Sequence, residues 1–247
     1  MLELKNITKT YKDKVALDEV SLSLSEGIYG LLGPNGAGKS TLMNIITGNV
    51  PQTSGTVLWN EKEILSLGVS YRGILGYAPQ QQGLYDTFTG RRFLSYIATL
   101  KAIPRKEIPD EINRVLTYVN LHESADRPIG TYSGGMKQRI LIAQAILGEP
   151  KLIILDEPTA GLDPKERVRI REKIKAIAEN KIILVSTHVV SDIETIAKEI
   201  ILLKGGRVID HDKVEALCQR YNNAVNLEAV YMHLFREDEY HDAVEPI

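Results

Sequence analysis

Cysteine is almost missing from this chain: Cys218 stands alone among 247 residues, so no intrachain disulfide can brace the fold. Long apolar runs are missing too. The longest, residues 140–147, is interrupted by Gln144 and falls far short of the roughly 18–20 residues a bilayer crossing needs. Any membrane role must therefore run through a partner. The opening residues Met1, Leu2, Glu3, Leu4 and Lys5 lack the charged and apolar regions of a secretory signal, so the cytoplasm is the expected compartment. Charge of one sign is also lacking, with 30 basic side chains against 32 acidic ones. Holding nucleic acid by neutralising phosphates over a broad face needs a basic field, so no nucleic-acid partner is expected. Long repeats, heptads and low-complexity tracts do not occur, and 43% hydrophobic residues suffice for the core of one large α/β domain with an insertion.

What the sequence does have is a glycine loop: Gly33, Pro34, Asn35, Gly36, Ala37, Gly38, Lys39, Ser40, Thr41. It fits G-x-x-x-x-G-K-[ST], a pattern expected by chance in a chain of this length on the order of 1% of the time at average residue usage. An apolar run (Ile28, Tyr29, Leu31, Leu32) precedes it and a helix-like segment, residues 42–47, follows. Glycines let the backbone fold closely around a phosphate, so that several N–H groups point inward at a helix start. Lys39 then reaches the β- and γ-phosphates and Ser40 offers its hydroxyl to Mg²⁺.

Upstream, Leu2, Leu4 and Ile7, then Val20, Leu22 and Leu24, alternate with polar residues as in antiparallel strands with one wet face. Tyr11 lies between them. It is placed to stack on adenine, although a plain packing role also fits. Downstream, residues 56–59 and 74–77 read as strands, the second ending at Pro79 and Gln80; strand ends in an α/β sheet are where ligands sit. From about 86 to 148 the spacing becomes helical and predicts an inserted helical subdomain with a small core of its own. Ser133 is a good N-cap there, and Gly134 and Gly135 after it leave room for an anion to approach the helix start.

Leu152, Ile153, Ile154 and Leu155 then read as a strand buried on both faces, delivering Asp156 and Glu157 at its C-terminal end. Beside a phosphate loop, such a pair suits a Mg²⁺ ligand and a base for water, although a simple strand-to-turn junction would look alike. Residues 182–187 repeat the pattern and lead into His188 at the same sheet edge. Arg167, Arg169, Arg171, Lys173 and Lys175 are expected to form a solvated helix face. Residues 200–203 and 207–209 suggest a hairpin turned by Gly205 and Gly206. Two short helices follow in 214–234, and the tail from Arg236 is expected to fray.

Taken in order, these motifs resemble the ATP-binding subunit of an ABC transporter over residues 1–212, with 213–247 as a C-terminal helical extension and polar tail. The resemblance matches residues 33–41 to the Walker A loop, Gln80 to the Q-loop, residues 132–136 to the family signature and residues 152–157 to Walker B. It further matches residues 160–163 to the D-loop and His188 to the switch histidine. Tyr132 and Met136 stand where the signature normally has leucine and glutamine. Gly83, Leu84, Tyr85, Thr89 and Leu94 resemble ABC-2-type exporters, although Arg92 replaces a usual glutamate; the tail around Leu227, Val230, Tyr231 and Leu234 does so too.

The resemblance implies a P-loop fold: a mainly parallel sheet, an N-terminal antiparallel part and the inserted helices. It implies two cassettes packed head to tail, each ATP held between one Walker A loop and the other copy's Ser133, Gly134 and Gly135. Asp156, Ser40 and Gln80 would serve Mg²⁺, Glu157 the water, Lys39 and His188 the γ-phosphate, and Asp163 the link between sites. A transmembrane permease would be driven from the cytoplasmic face, and export is the expected direction. An alternative is a soluble ABC ATPase acting on ribosomes or nucleic acid, but such relatives usually carry two cassettes or a long coiled coil. A GTP switch or nucleotide kinase leaves residues 133–135 unexplained, and a guanine-reading N-K-x-D segment is missing.

Overall fold

The computed structural model describes residues 1–80 and 84–235; Gly83 and the tail from Arg236 lie outside them. The N-terminal part forms β1 (Leu2–Tyr11), β2 (Lys14–Leu24), β3 (Gly27–Leu32), α1 (Lys39–Ile46), β4 (Ser54–Trp59) and β5 (Lys62–Glu63). Then come α2 (Ile64–Leu67), α3 (Val69–Ile74), β6 (Leu75–Ala78), α4 (Gly90–Leu100), α5 (Ile108–Tyr118), α6 (Gly134–Ala145) and β7 (Leu152–Asp156). The remainder is α7 (Pro164–Ala176), β8 (Ile182–Ser186), α8 (Val190–Ile193), β9 (Glu199–Lys204), β10 (Arg207–Asp212), α9 (Val214–Arg220) and α10 (Leu227–Phe235).

Two sheets result. One is antiparallel in the order β2-β1-β4-β5; the other runs β10-β9-β3-β8-β7-β6. In the second, β9, β3, β8, β7 and β6 are parallel and only β10 returns antiparallel on β9. Strands β3, β7, β8 and β9 are buried on both faces, and successive residues feed opposite cores. Ile153, Leu155, Ile183 and Val185 join the helices, while Leu152, Ile154, Ile182 and Leu184 join α1 and the antiparallel sheet. This period-2 division is why the runs read as unbroken aliphatics. Each such side chain contributes about 1.5–3 kcal/mol when fully buried.

Among the described residues, the helical part shares its core with the sheet and does not have one of its own: Phe93, Val115 and Ile140 lie in one cluster with Ile153 and Leu155. The reason is α6, which is buried from Ile140 onward and packs on β6 and β7. Gln144, the polar break in its apolar run, donates to the Tyr77 carbonyl at 2.9 Å. Lys101 and Arg114 reach from α4 and α5 to the carbonyls of Leu147 and Ile146 at the end of α6, at 2.5 and 3.0 Å.

Ile74 ends α3 instead of starting the strand; α2 and α3 are held by Tyr71, buried, whose hydroxyl donates to the Ile46 carbonyl at 2.7 Å. The basic run of α7 is more than a solvated face. Arg167 and Arg171 hold buried Asp192, Arg169 pairs with Glu166, and the Lys173 ammonium donates to the Tyr118 carbonyl. Lys175 is exposed as expected.

Candidate functional site

Parallel strands end on one edge, so β3, β7 and β8 deliver their following residues to the same place. After β3 the chain turns through the glycine loop into α1. Gly33 is required because a Cβ there would lie 2.2 Å from the Leu203 carbonyl oxygen. Gly38, at φ +106°, would meet the Ala16 carbonyl at 2.6 Å. The Lys39 ammonium folds over its own loop, donating to the carbonyls of Gly33 at 2.6 Å and Pro34 at 3.0 Å. Burial pushes its pKa down, with Glu157 and Asp156 pulling against that shift.

Asp156 ends β7 and is buried; Ser186, its register partner on β8, donates its hydroxyl to Asp156 Oδ1 at 2.5 Å. The same Ser186 Oγ accepts from the Glu157 backbone N–H at 3.1 Å. Glu157 is itself buried and sits at φ +52°, a left-handed conformation that costs about 1–3 kcal/mol in a non-glycine residue. Its carboxylate is fixed from the β8 side: Oε2 lies 2.8 Å from His188 Nδ1 and accepts weakly from the His188 backbone N–H at 3.4 Å.

A cleft of about 310 Å³ opens over this edge, lined by Tyr11, Lys14, Ala16, Asn35, Gly36, Ala37, Gly38, Lys39, Ser40, Thr41, Gln80, Asp156 and Glu157. Residues 35–41 of the loop, the acidic pair, Gln80 and Tyr11 thus meet, whereas Gly33, Pro34 and His188 lie outside the lining, His188 reaching it through Glu157. Tyr11 closes β1 with its ring exposed; the Lys9 ammonium sits 4.9 Å from the ring centroid and donates to the Pro51 carbonyl at 2.7 Å. Lys14 and Ala16 in the lining, and Ser186 beneath Asp156, carry no motif in the linear sequence. Their signal is cross-strand register, which a linear pattern does not carry.

Ser133, Gly134, Gly135 and Asp163 do not line this cleft. Ser133 caps α6, accepting from the Met136 N–H at 3.3 Å, and is exposed; a Cβ on Gly134 would have open space around it. Tyr132, in the place of the usual leucine, is buried and donates to the Ser124 carbonyl at 2.7 Å. Asp163 caps α7, accepting from the N–H groups of Lys165 and Glu166, each at 3.0 Å.

Among the described residues no group of three or more His, Cys, Asp or Glu side chains could cage a metal. The donors on hand are the Ser40 hydroxyl, the Gln80 amide and Asp156. That oxygen set fits Mg²⁺, which prefers one or two protein ligands completed by water and phosphate oxygens.

A glycine loop opening a helix, with an acidic pair and a histidine on the same parallel edge, defines a P-loop nucleoside triphosphatase. The family model described as ABC transporter matches residues 17–160. An ABC transporter ATP-binding protein of Bacillus subtilis (strain 168), YxlF, is 35% identical over 227 residues, spanning 91% of this chain and 75% of the relative. The lantibiotic transport ATP-binding protein SrtF of Streptococcus pyogenes is 34% identical over 238 residues, 92% of this chain and 99% of that one. The dimeric post-hydrolysis structure of the ATP-binding cassette MJ0796 with ADP and Pi superimposes with a TM-score of 0.79 at 30% identity, covering 86% of this chain and 98% of that one. The chain belongs to the ABC transporter family, as an ATP-binding, ATP-hydrolysing subunit.

Proposed function

We propose that this chain powers export through a separate transmembrane partner from the cytoplasmic face, and that two copies pair head to tail to complete each ATP site. The observation that carries the pairing is the separation within one chain. Lys39, Asp156 and Glu157 share a cleft, while Ser133 and Gly134 stand exposed outside it. Support for transport comes from SrtF, named for lantibiotic transport, and support for pairing from the dimeric cassette MJ0796. No helix among the described residues is long and apolar enough to cross a membrane, which accords with a separate permease.

In this reading Tyr11 stacks on adenine, while the N–H groups of residues 33–41 and the Lys39 ammonium hold the phosphates. Ser40, Asp156 and Gln80 would hold Mg²⁺. When bound, that ion neutralises charge building on the transferred phosphoryl group. Glu157 accepts a proton from the attacking water as its oxygen bonds to the γ-phosphorus and the bond to the ADP oxygen breaks. His188 steadies the γ-phosphate beside it, and the partner copy's Ser133 turn seals the site, with Asp163 linking the two. Gln80 lies where closure would pass to the permease.

The test uses Glu157→Gln, expected to bind ATP, hydrolyse it at least about 10²-fold more slowly and sediment as an ATP-dependent dimer. Adding Ser133→Arg should abolish the dimer while each monomer still binds ATP. A dimer that persists in the double variant would sink the head-to-tail arrangement.

A further inference from the structure

We propose that Lys14, at the start of β2, is a second cationic contact to the phosphates of the bound nucleotide, alongside Lys39. The inference rests on the cleft being the nucleotide site. Lys14 begins β2, is exposed, and lines that cleft between Tyr11 and the glycine loop. In the β1–β2 register it stands directly across from Tyr11. Two residues further along, the Ala16 carbonyl lies so close to Gly38 that a Cβ there would be 2.6 Å away.

The start of β2 is therefore a ruler between the base platform and the last glycine before α1. At about 3.3 Å per residue, Lys14 sits roughly 7 Å from that contact, within reach of a lysine side chain. Positions 14 and 16 share a strand face, which is why both reach the cleft.

Charge bookkeeping singles Lys14 out. Of its basic neighbours, Lys9 is committed to the Pro51 carbonyl and the Tyr11 ring and Arg207 to Asp18, while Lys12, exposed in the preceding turn, does not line the cleft. Among the described residues, the Lys14 ammonium has neither an ion pair nor a hydrogen bond, although it borders a cleft whose floor carries Asp156 and Glu157. A polyanion entering that cleft meets an unpaired cation on the strand side, and the charge-assisted contact favours phosphate over base.

Equilibrium binding of ATP, and of adenosine by competition, tests this on the full chain with Lys14→Met, Lys14→Arg and Lys39→Ala. Lys14→Met should weaken ATP about three- to tenfold and leave adenosine within about twofold, and Lys14→Arg should recover most of the loss. ATP binding unchanged in Lys14→Met, or adenosine weakened in equal measure, overturns the assignment. If Lys39→Ala also binds ATP like the wild type, the nucleotide reading of the cleft fails and this inference fails with it.

Discussion

Arg167 of α7 grips Asp192 of α8 with two nitrogens: Nε lies 3.0 Å from Oδ2 and Nη2 2.9 Å from the same oxygen. Arg171 reinforces it, approaching Oδ1 at 3.5 Å and donating to the Ser191 carbonyl at 2.8 Å. The helix that Asp163 caps is thereby bolted to the helix just beyond His188.

The pair is asymmetric, and that fixes the order of two variants. Asp192 is buried at 5% exposure, whereas the side chains of Arg167 and Arg171 retain 26% and 21%. Removing Arg167 leaves a buried carboxylate short of its main partner; removing the carboxylate leaves guanidinium groups that water can reach. Arg167→Met should cost about 3 kcal/mol in urea denaturation and Asp192→Asn about half as much. The reverse order would show that Arg171 alone satisfies Asp192.

His188 should matter to turnover through Glu157 as well as through phosphate. Its Nδ1 is the side-chain partner of the Glu157 carboxylate, which a left-handed backbone carries into the cleft. His188→Ala frees that carboxylate to rotate, so single-turnover phosphate release should fall by about 10²-fold or more. ATP affinity should change by less than about threefold, since the loop and Lys39 are untouched. Wild-type release from His188→Ala would remove the histidine from the chemistry.

The parts legible in the sequence are those whose geometry is local. Residues 33–41 form one loop, and Asp156, Glu157 and His188 each follow an aliphatic run whose burial on both faces announces a parallel strand. The illegible parts depend on chain segments distant in sequence. Lys14 and Ala16 enter the cleft by cross-strand register, Ser186 by pairing with Asp156, and Arg167 finds Asp192 across 25 residues. Helices α2 and α3 have 4 and 6 residues, too short for a 3.6-residue period to emerge.

In the sequence Gly76 reads as one more strand residue, yet it sets how closely α6 lies on β6. A Cβ there would sit 1.9 Å from the Ala145 carbonyl oxygen, backbone against backbone. Gly76→Ala should lower stability by about 2–4 kcal/mol, because neither element can yield without disturbing the shared core. Gly73, three residues earlier in α3, has open space and ordinary helical backbone, so Gly73→Ala should stabilise by about 0.5–1 kcal/mol. Chemical denaturation of the two variants checks both signs.

Lys101 gives the chain a stability term with a defined pH window. Its ammonium is largely shielded at the end of α4 and reaches the Leu147 carbonyl; this partial burial lowers its pKa from 10.5 to about 8, with Glu111 opposing the shift. Below pH 8 both folded and unfolded chains keep the proton, so the full penalty of burying the charge, about 3 kcal/mol, weighs on the native state. Between pH 8 and 10.5 the unfolded chain binds more protons than the folded one, so this term makes stability rise with pH; above 10.5 nothing is left to gain. Other groups titrate in the same range, so the measurement is the difference in unfolding free energy between the wild type and Lys101→Met. That difference should move in favour of the wild type by about 2 kcal/mol from pH 7 to pH 9.5. A flat difference would mean that water reaches the ammonium in the folded chain, and the contact with α6 would then be an ordinary surface hydrogen bond.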